Sequence, residues 1–217
     1  KVGDVIPMKG VELRVVCAAG KVIESPLPGA GQPNALGDPR RADDDAEDAQ
    51  SIGTLVTFGA FRFIYLGDLT WNVALDLFAP LNKVGTVDAY LVTHHAQSLP
   101  ASLGAYYEGL SACPKAEVHG LRPRVAILSL GTHGHRQGTS EAMENVRSCP
   151  GLEDLWQTSK VTEGGEKGHN SSDQFIASLS EGPELRYIKL SANRDGSFTM
   201  TNSRTGYTKH YPPRAKP

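Results

Sequence analysis

The chain has 217 residues, 39% of them hydrophobic, which is enough for one domain with a sizeable core. Its 22 basic and 24 acidic residues nearly cancel, to a formal net charge of -2. That balance carries no general electrostatic footprint for nucleic acid, so such a partner is disfavoured, and no apolar run approaches the length of a membrane-spanning helix, so no membrane partner is expected.

The opening residues, "KVGDVIPMKG", show neither a signal-peptide pattern nor an initiator Met. They read as the start of a processed product or of a piece of something longer. "VELRVVCAAG" alternates as a strand from Val11 to Cys17. Residues 25–48 follow, rich in Pro, Gly and charge and without apolar periodicity; they read as a long, exposed and mobile loop within a single domain spanning 1–217. The acidic end of this loop, Asp43 to Asp48, is either a calcium-binding run or a solvated charged stretch. "SIGTLVTFGAFRFIYLGD" is the clearest hairpin, with strands Ile52 to Phe58 and Phe61 to Leu66 about Gly59-Ala60 and a break at Gly67. "DLTWNVALDLFAPL" reads as a helix capped by Thr70 and stopped by Pro80. "TVDAYLVTHH" is a buried strand, "SLPASLGAYYEGLS" a helix, and "RVAILSL" a strand of parallel-sheet character. The glycine-rich loop "GTHGHRQG" leads to a helix, "TSEAMENVRS", capped by Thr139 or Ser140. After "EGGEKGHN" come three strand-like runs, "FIASL", "RYIKLSA" and "SFTMTNS", the last two joined by the turn "NRDG". Alternation in the middle and antiparallel strands at the end give an α/β or α+β layered fold.

Chemistry concentrates where strands stop. Asp68 follows the strand "RFIYL", and His94 and His95 follow "DAYLV". If the two strands are parallel neighbours, these groups meet at one edge of the sheet, held rigidly yet open to a ligand. Carboxylate and imidazole suit zinc, manganese or iron, and such a metal acidifies a bound water to hydroxide near neutral pH. Taken singly, each motif also has a plain reading: Asp68 as a turn residue capping the next helix, the histidines as hydrogen-bonded side chains.

The segments "FGAFRFIYLGDLTWN" and "VDAYLVTHHAQS" together resemble the C-terminal half of a metallo-β-lactamase-fold hydrolase, in the branch similar to the ComEC hydrolase domain. The resemblance runs from about Val11 to about Ser203. It implies half of a four-layer αββα sandwich, with the other half missing, supplied by a second chain, or lost by reduction. It further implies that Asp68 bridges two metal ions, most readily zinc, with manganese, iron or calcium as alternatives. One histidine of the pair would be a ligand, His94 preferred over His95. It also brings "EDAQS" next to the site, which makes Glu47, Asp48 and Ser51 candidates for supporting the ligands. Two departures stand out. The family's HxHxDH signature occurs nowhere, and Ala96 stands where the family has Gly.

His133, His135 and Arg136 in "GTHGHRQG" are candidates for holding a substrate over the site, or form a polar surface loop; His169 is a further supporting candidate, and His119 reads as structural. A GxSxG elbow, a P-loop and a dinucleotide-binding fingerprint are all absent. The expected activity is hydrolysis of a small-molecule ester, lactone (an acyl-homoserine lactone being one) or phosphodiester through a metal-bound hydroxide. The rival expectation is a non-catalytic remnant or binding domain of the same fold that has lost the metal.

Overall fold

The computed structural model describes residues 1–44, 46–131, 137–161, 170–180, 182 and 184–215. His133, His135, Arg136 and His169 lie outside the described residues.

The strands are β1 (Val5–Met8), β2 (Val11–Ala18), β3 (Lys21–Val22), β4 (Gln32–Pro33), β5 (Gly53–Phe58), β6 (Phe61–Tyr65), β7 (Leu81–Asn82), β8 (Ala89–Leu91), β9 (Val125–Leu128), β10 (Asp154–Ser159), β11 (Ile176–Ser178), β12 (Ile188–Ala192), β13 (Phe198–Asn202) and β14 (Thr208–Tyr211). The helices are α1 (Trp71–Phe78), α2 (Ala105–Gly109), α3 (Lys115–Leu121) and α4 (Ser140–Arg147). Among the described residues these make a mixed α/β protein. A nine-stranded sheet runs β1-β2-β5-β6-β8-β9-β10-β11, with β3 also paired to β2, and β12-β13-β14 and β4-β7 form smaller antiparallel sheets. From β6 to β11 every pairing is parallel; β1, β2 and β5 join antiparallel.

Side chains alternate across the sheet, so registered residues sort into two faces. Leu55, Ile64, Tyr90, Ala126 and Leu155 form one transverse row. They pack against Leu77 and Phe78 of α1, Val118 and Leu121 of α3, and Met143 and Val146 of α4. On the other face Phe61, Ala89, Val125 and Trp156 pack against Phe198, Met200 and Tyr211 of the three-stranded sheet. The result is helices, large sheet and small sheet in three layers. Tyr211 donates to Asp154 at 2.5 Å and accepts from Trp156 Nε1 at 3.0 Å, tying the two sheets together with satisfied polar groups. Cys17, Cys113 and Cys149 are buried, unpaired thiols. No helix among the described residues is long and apolar enough to cross a membrane.

The hairpin and the strand–helix alternation follow the sequence pattern, with two differences. The run expected as one helix at "SLPASLGAYYEGLS" is split into a 3-10 turn, Ala101–Leu103, and the short α2, because Gly104 at φ 102° is left-handed between them. β1, α3, β10 and β14 carry too little periodicity to be read in advance. The stretch 25–48, expected as an exposed mobile loop, is largely exposed and, apart from β4, without regular structure among its described residues before Asp48, and it is stitched to the helical layer. Asn34 donates to the Phe78 and Ala116 carbonyls at 2.8 Å, Asp38 accepts from Ala116 N at 2.6 Å, and Trp71 Nε1 donates to Pro39 O at 2.9 Å. Arg41 lies 3.7 Å over the Trp71 ring and pairs with Glu141 at 2.6 Å. Each anchor reaches a distant part of the chain through one or a few side-chain contacts, which no local pattern announces.

Candidate active site

β6 and β8 are adjacent and parallel, so the turns that follow them open at the same edge. β5 runs the other way, and the segment leading into it, with a 3-10 turn at Asp48–Gln50, therefore reaches that edge too. The topology thus collects Asp48, Ser51, Asp68, His94 and His95 from three separated stretches. Glu47, the third supporting candidate, is exposed at the head of the 3-10 turn.

Gly67 makes the first turn possible. Its φ is 66°, and a Cβ there would lie 3.1 Å from the Ser51 side chain. Ser51 Oγ accepts from Asp68 N at 3.1 Å, and the Gly67 carbonyl accepts from His94 N at 3.1 Å. One glycine therefore joins the acidic segment, the Asp68 turn and the histidine turn. Gly67→Ala is expected to lower unfolding free energy by about 1–2 kcal/mol, from the left-handed penalty on an L-residue plus the contact with Ser51; urea denaturation measures it, and a change below about 0.5 kcal/mol would contradict this account.

The second turn is strained. His94, His95 and Ala96 all have positive φ, at 46°, 54° and 56°. Each left-handed non-glycine residue costs on the order of 1 kcal/mol, and such runs persist only where the surroundings dictate them. Here the His95 carbonyl accepts from Gly138 N at 3.0 Å, and the Ala96 carbonyl accepts from Thr139 N at 3.0 Å and from its hydroxyl at 3.2 Å. Thr139 precedes α4 as expected, but its side chain makes no cap bond and holds the histidine turn instead. Ala96, where glycine would relieve the strain, is fully buried in the core.

The two imidazoles face different carboxylates. His95 Nδ1 lies 2.7 Å from the Ser129 carbonyl. A carbonyl only accepts, so Nδ1 carries the proton and the neutral ring presents a bare Nε2. That nitrogen stands 3.8 Å from Asp68 Oδ1, and both side chains are partly exposed, at 37% and 44%. His94 is 11% exposed; its Nε2 lies 3.9 Å from Asp48 Oδ2 and 3.4 Å from Gln97 Nε2. Its Nδ1 is buried with no hydrogen-bond partner among the described residues, as is Asp44 Oδ2. Burial depresses the His94 pKa despite the raising influence of Asp68 and Asp48, and so keeps the ring neutral at pH 7. Burial also raises the Asp48 carboxyl above its ordinary range, with His94 opposing and Asp68 and Asp44 reinforcing the shift.

The convergence of Asp68 with the histidine pair follows from strand ends. Ser129, Gly138 and Gln97 were not singled out from sequence, and Thr139 was read only as a helix cap. Ser129 could have been found by the same logic, since it directly follows β9, the next parallel strand; Gly138 acts through its backbone N–H, and the side-chain contacts of Gln97 and Thr139 have no signature. Gly131 N donates to Gln137 Oε1 at 2.9 Å, so the two stems of "GTHGHRQG" meet beside this site. Among the described residues no group of three or more His, Cys, Asp or Glu side chains stands ready to enclose one metal ion. The arrangement is two acid–imidazole pairs. Comparison of the chain with models of protein families, with curated protein sequences and with solved structures finds no match.

Proposed function

We propose that this chain is a metal-dependent hydrolase built on the C-terminal half of a metallo-β-lactamase-like αββα sandwich, acting on a small-molecule ester, lactone or phosphodiester. The observation that carries the reading is the Asp68–His95 pair: an imidazole with Nδ1 fixed on a carbonyl and a bare Nε2 3.8 Å from a carboxylate, at the mouth of two parallel strands. Outer hydrogen bonds of this kind are how metal-binding histidines are oriented. Asp68 and His95 would hold a divalent ion, zinc first among the candidates, with His94 and Asp48 as the adjoining donors. His94 fits as a neutral ring with an unpartnered nitrogen. A divalent ion bound there supplies a nucleophile near neutral pH by acidifying water and polarises the substrate oxygen. Asp48, held above the usual carboxylate range, is placed to accept a proton at Oδ2.

A second reading is a non-catalytic binding domain of the same fold. It is favoured by the lack of a three-ligand group among the described residues, because catalytic zinc ordinarily has three protein ligands. A second chain completing the sandwich would reconcile the two. The test is metal analysis of the purified protein and titration calorimetry with Zn2+, Mn2+ and Fe2+, beside hydrolysis of ester, lactone and phosphodiester probes. The hydrolase reading expects low activity that EDTA abolishes and added metal restores. Stoichiometric metal with no hydrolysis supports the binding domain, and hydrolysis surviving exhaustive chelation overturns the metal reading.

A further inference from the structure

We propose that Glu117, buried beneath the histidine turn, is a positioning residue that aims the two imidazoles by gripping Thr93, an inference that rests on the site reading above. Thr93 is the last residue before the left-handed run. Each of its polar groups is held from below. Its hydroxyl donates to Glu117 Oε1 at 2.6 Å, its N–H donates to Tyr90 Oη at 3.0 Å, and its carbonyl accepts from Cys113 Sγ at 3.2 Å. Tyr90 Oη in turn donates to the same Glu117 Oε1 at 2.6 Å. Glu117, Tyr90 and Cys113 are all fully buried.

A carboxyl in this position is expensive for the core. The titratable groups facing it are Tyr90 from β8 and Cys113 from the segment before α3, with Cys17 of β2 further off, and none is a cation. Its second oxygen, Oε2, is buried with no hydrogen-bond partner among the described residues. A leucine of similar size would avoid that desolvation cost. What leucine cannot do is hold the Thr93 and Tyr90 hydroxyls at one point. The three strained residues that follow need restraint at both ends. Thr139 and Gly138 supply it downstream, and the Thr93 grip supplies it upstream. Burial without a counter-ion pushes the Glu117 carboxyl up to about 7, so at neutral pH it is poised between an acid and an anion, both of which accept at Oε1.

The experiment reads the His95 tautomer by nitrogen-15 NMR of the imidazoles in the metal-free full chain, so it does not depend on metal binding or turnover. The wild type shows protonated Nδ1 and bare Nε2. Glu117→Leu and Thr93→Val are expected to move His95 toward the mixed tautomers of a free imidazole, while Glu117→Gln and Thr93→Ser, which keep the hydrogen-bonding atoms, retain the wild-type signature. If the wild type binds Zn2+, the first two variants should weaken it by about 10–100-fold, the effect typical of disturbing the support of a ligand. Should Glu117→Leu fail to fold, Thr93→Val against Thr93→Ser decides. A wild-type His95 signature in folded Thr93→Val or Glu117→Leu overturns the proposal. Loss of the signature in Thr93→Ser as readily as in Thr93→Val overturns it equally, since the hydroxyl would then be irrelevant.

Discussion

In Asp68→Ala, divalent metal affinity and any metal-dependent hydrolysis are expected to fall at least about 100-fold while the fold hardly notices. Residues that merely support a ligand cost 10–100-fold on removal, and a direct ligand costs no less. The structural side of the expectation comes from exposure. The Asp68 side chain is 44% exposed, and it stands 3.8 Å from the partly exposed His95, a surface pair of little net worth. Its backbone N–H, which bonds Ser51 Oγ, survives the substitution. Unfolding free energy should therefore change by no more than about 0.5 kcal/mol. Calorimetric titration with Zn2+ and a denaturant melt check the two halves. Unchanged affinity would place any metal elsewhere, and a large loss of stability would mean that Asp68 supports the turn rather than the site.

Stability is expected to fall as the pH rises from about 4.5 to about 7, by about 3 kcal/mol from Glu117 alone. Burial raises this carboxyl from an ordinary value of 4.5 to about 7 in the fold. Across that window the folded chain keeps the proton and the unfolded chain has released it, so the folded state binds more protons and stability declines with pH. The contribution is fully present below the unfolded value and is lost once the pH passes the folded one, at 1.36 kcal/mol per pKa unit. Glu117→Gln removes the titration. The variant should be less stable than the wild type near pH 5, where a buried amide N–H lacks a partner, and should approach or overtake it above pH 7. Parallel pH profiles for the two proteins, measured by urea denaturation, would refute this assignment. The slope is the opposite of that of a salt-bridged carboxylate, which is why it is diagnostic.

The backbone at this edge adopts conformations that sequence patterns do not encode. The left-handed run at His94–Ala96 breaks local preference at three consecutive positions, and such conflicts between local and global demands cluster at functional sites. Ala96 shows the point most clearly. At the level of sequence Ala96 is only a departure from the glycine that the resemblance implies. The structure shows an alanine accepting the glycine conformation because its methyl is fully buried and its carbonyl is held twice by Thr139.

The sequence by itself determined the β5–β6 hairpin, the α1 and α4 helices and the antiparallel β12–β13 pair, and it put Asp68 and the histidine pair each at the end of a strand. All of these rest on short-range regularities: period-two alternation, helical spacing, and a glycine or proline at the break. Only the tertiary structure decided that β6 and β8 are parallel neighbours, that His95 rather than His94 faces Asp68, and that residues 34–41 are stitched to α1 and α3. It alone brought Glu117 under Thr93 and Ser129 beside His95. These outcomes depend on contacts between residues 24 to 82 positions apart, set by how layers pack and by where buried polar groups find partners, and neither quantity has a local period to read.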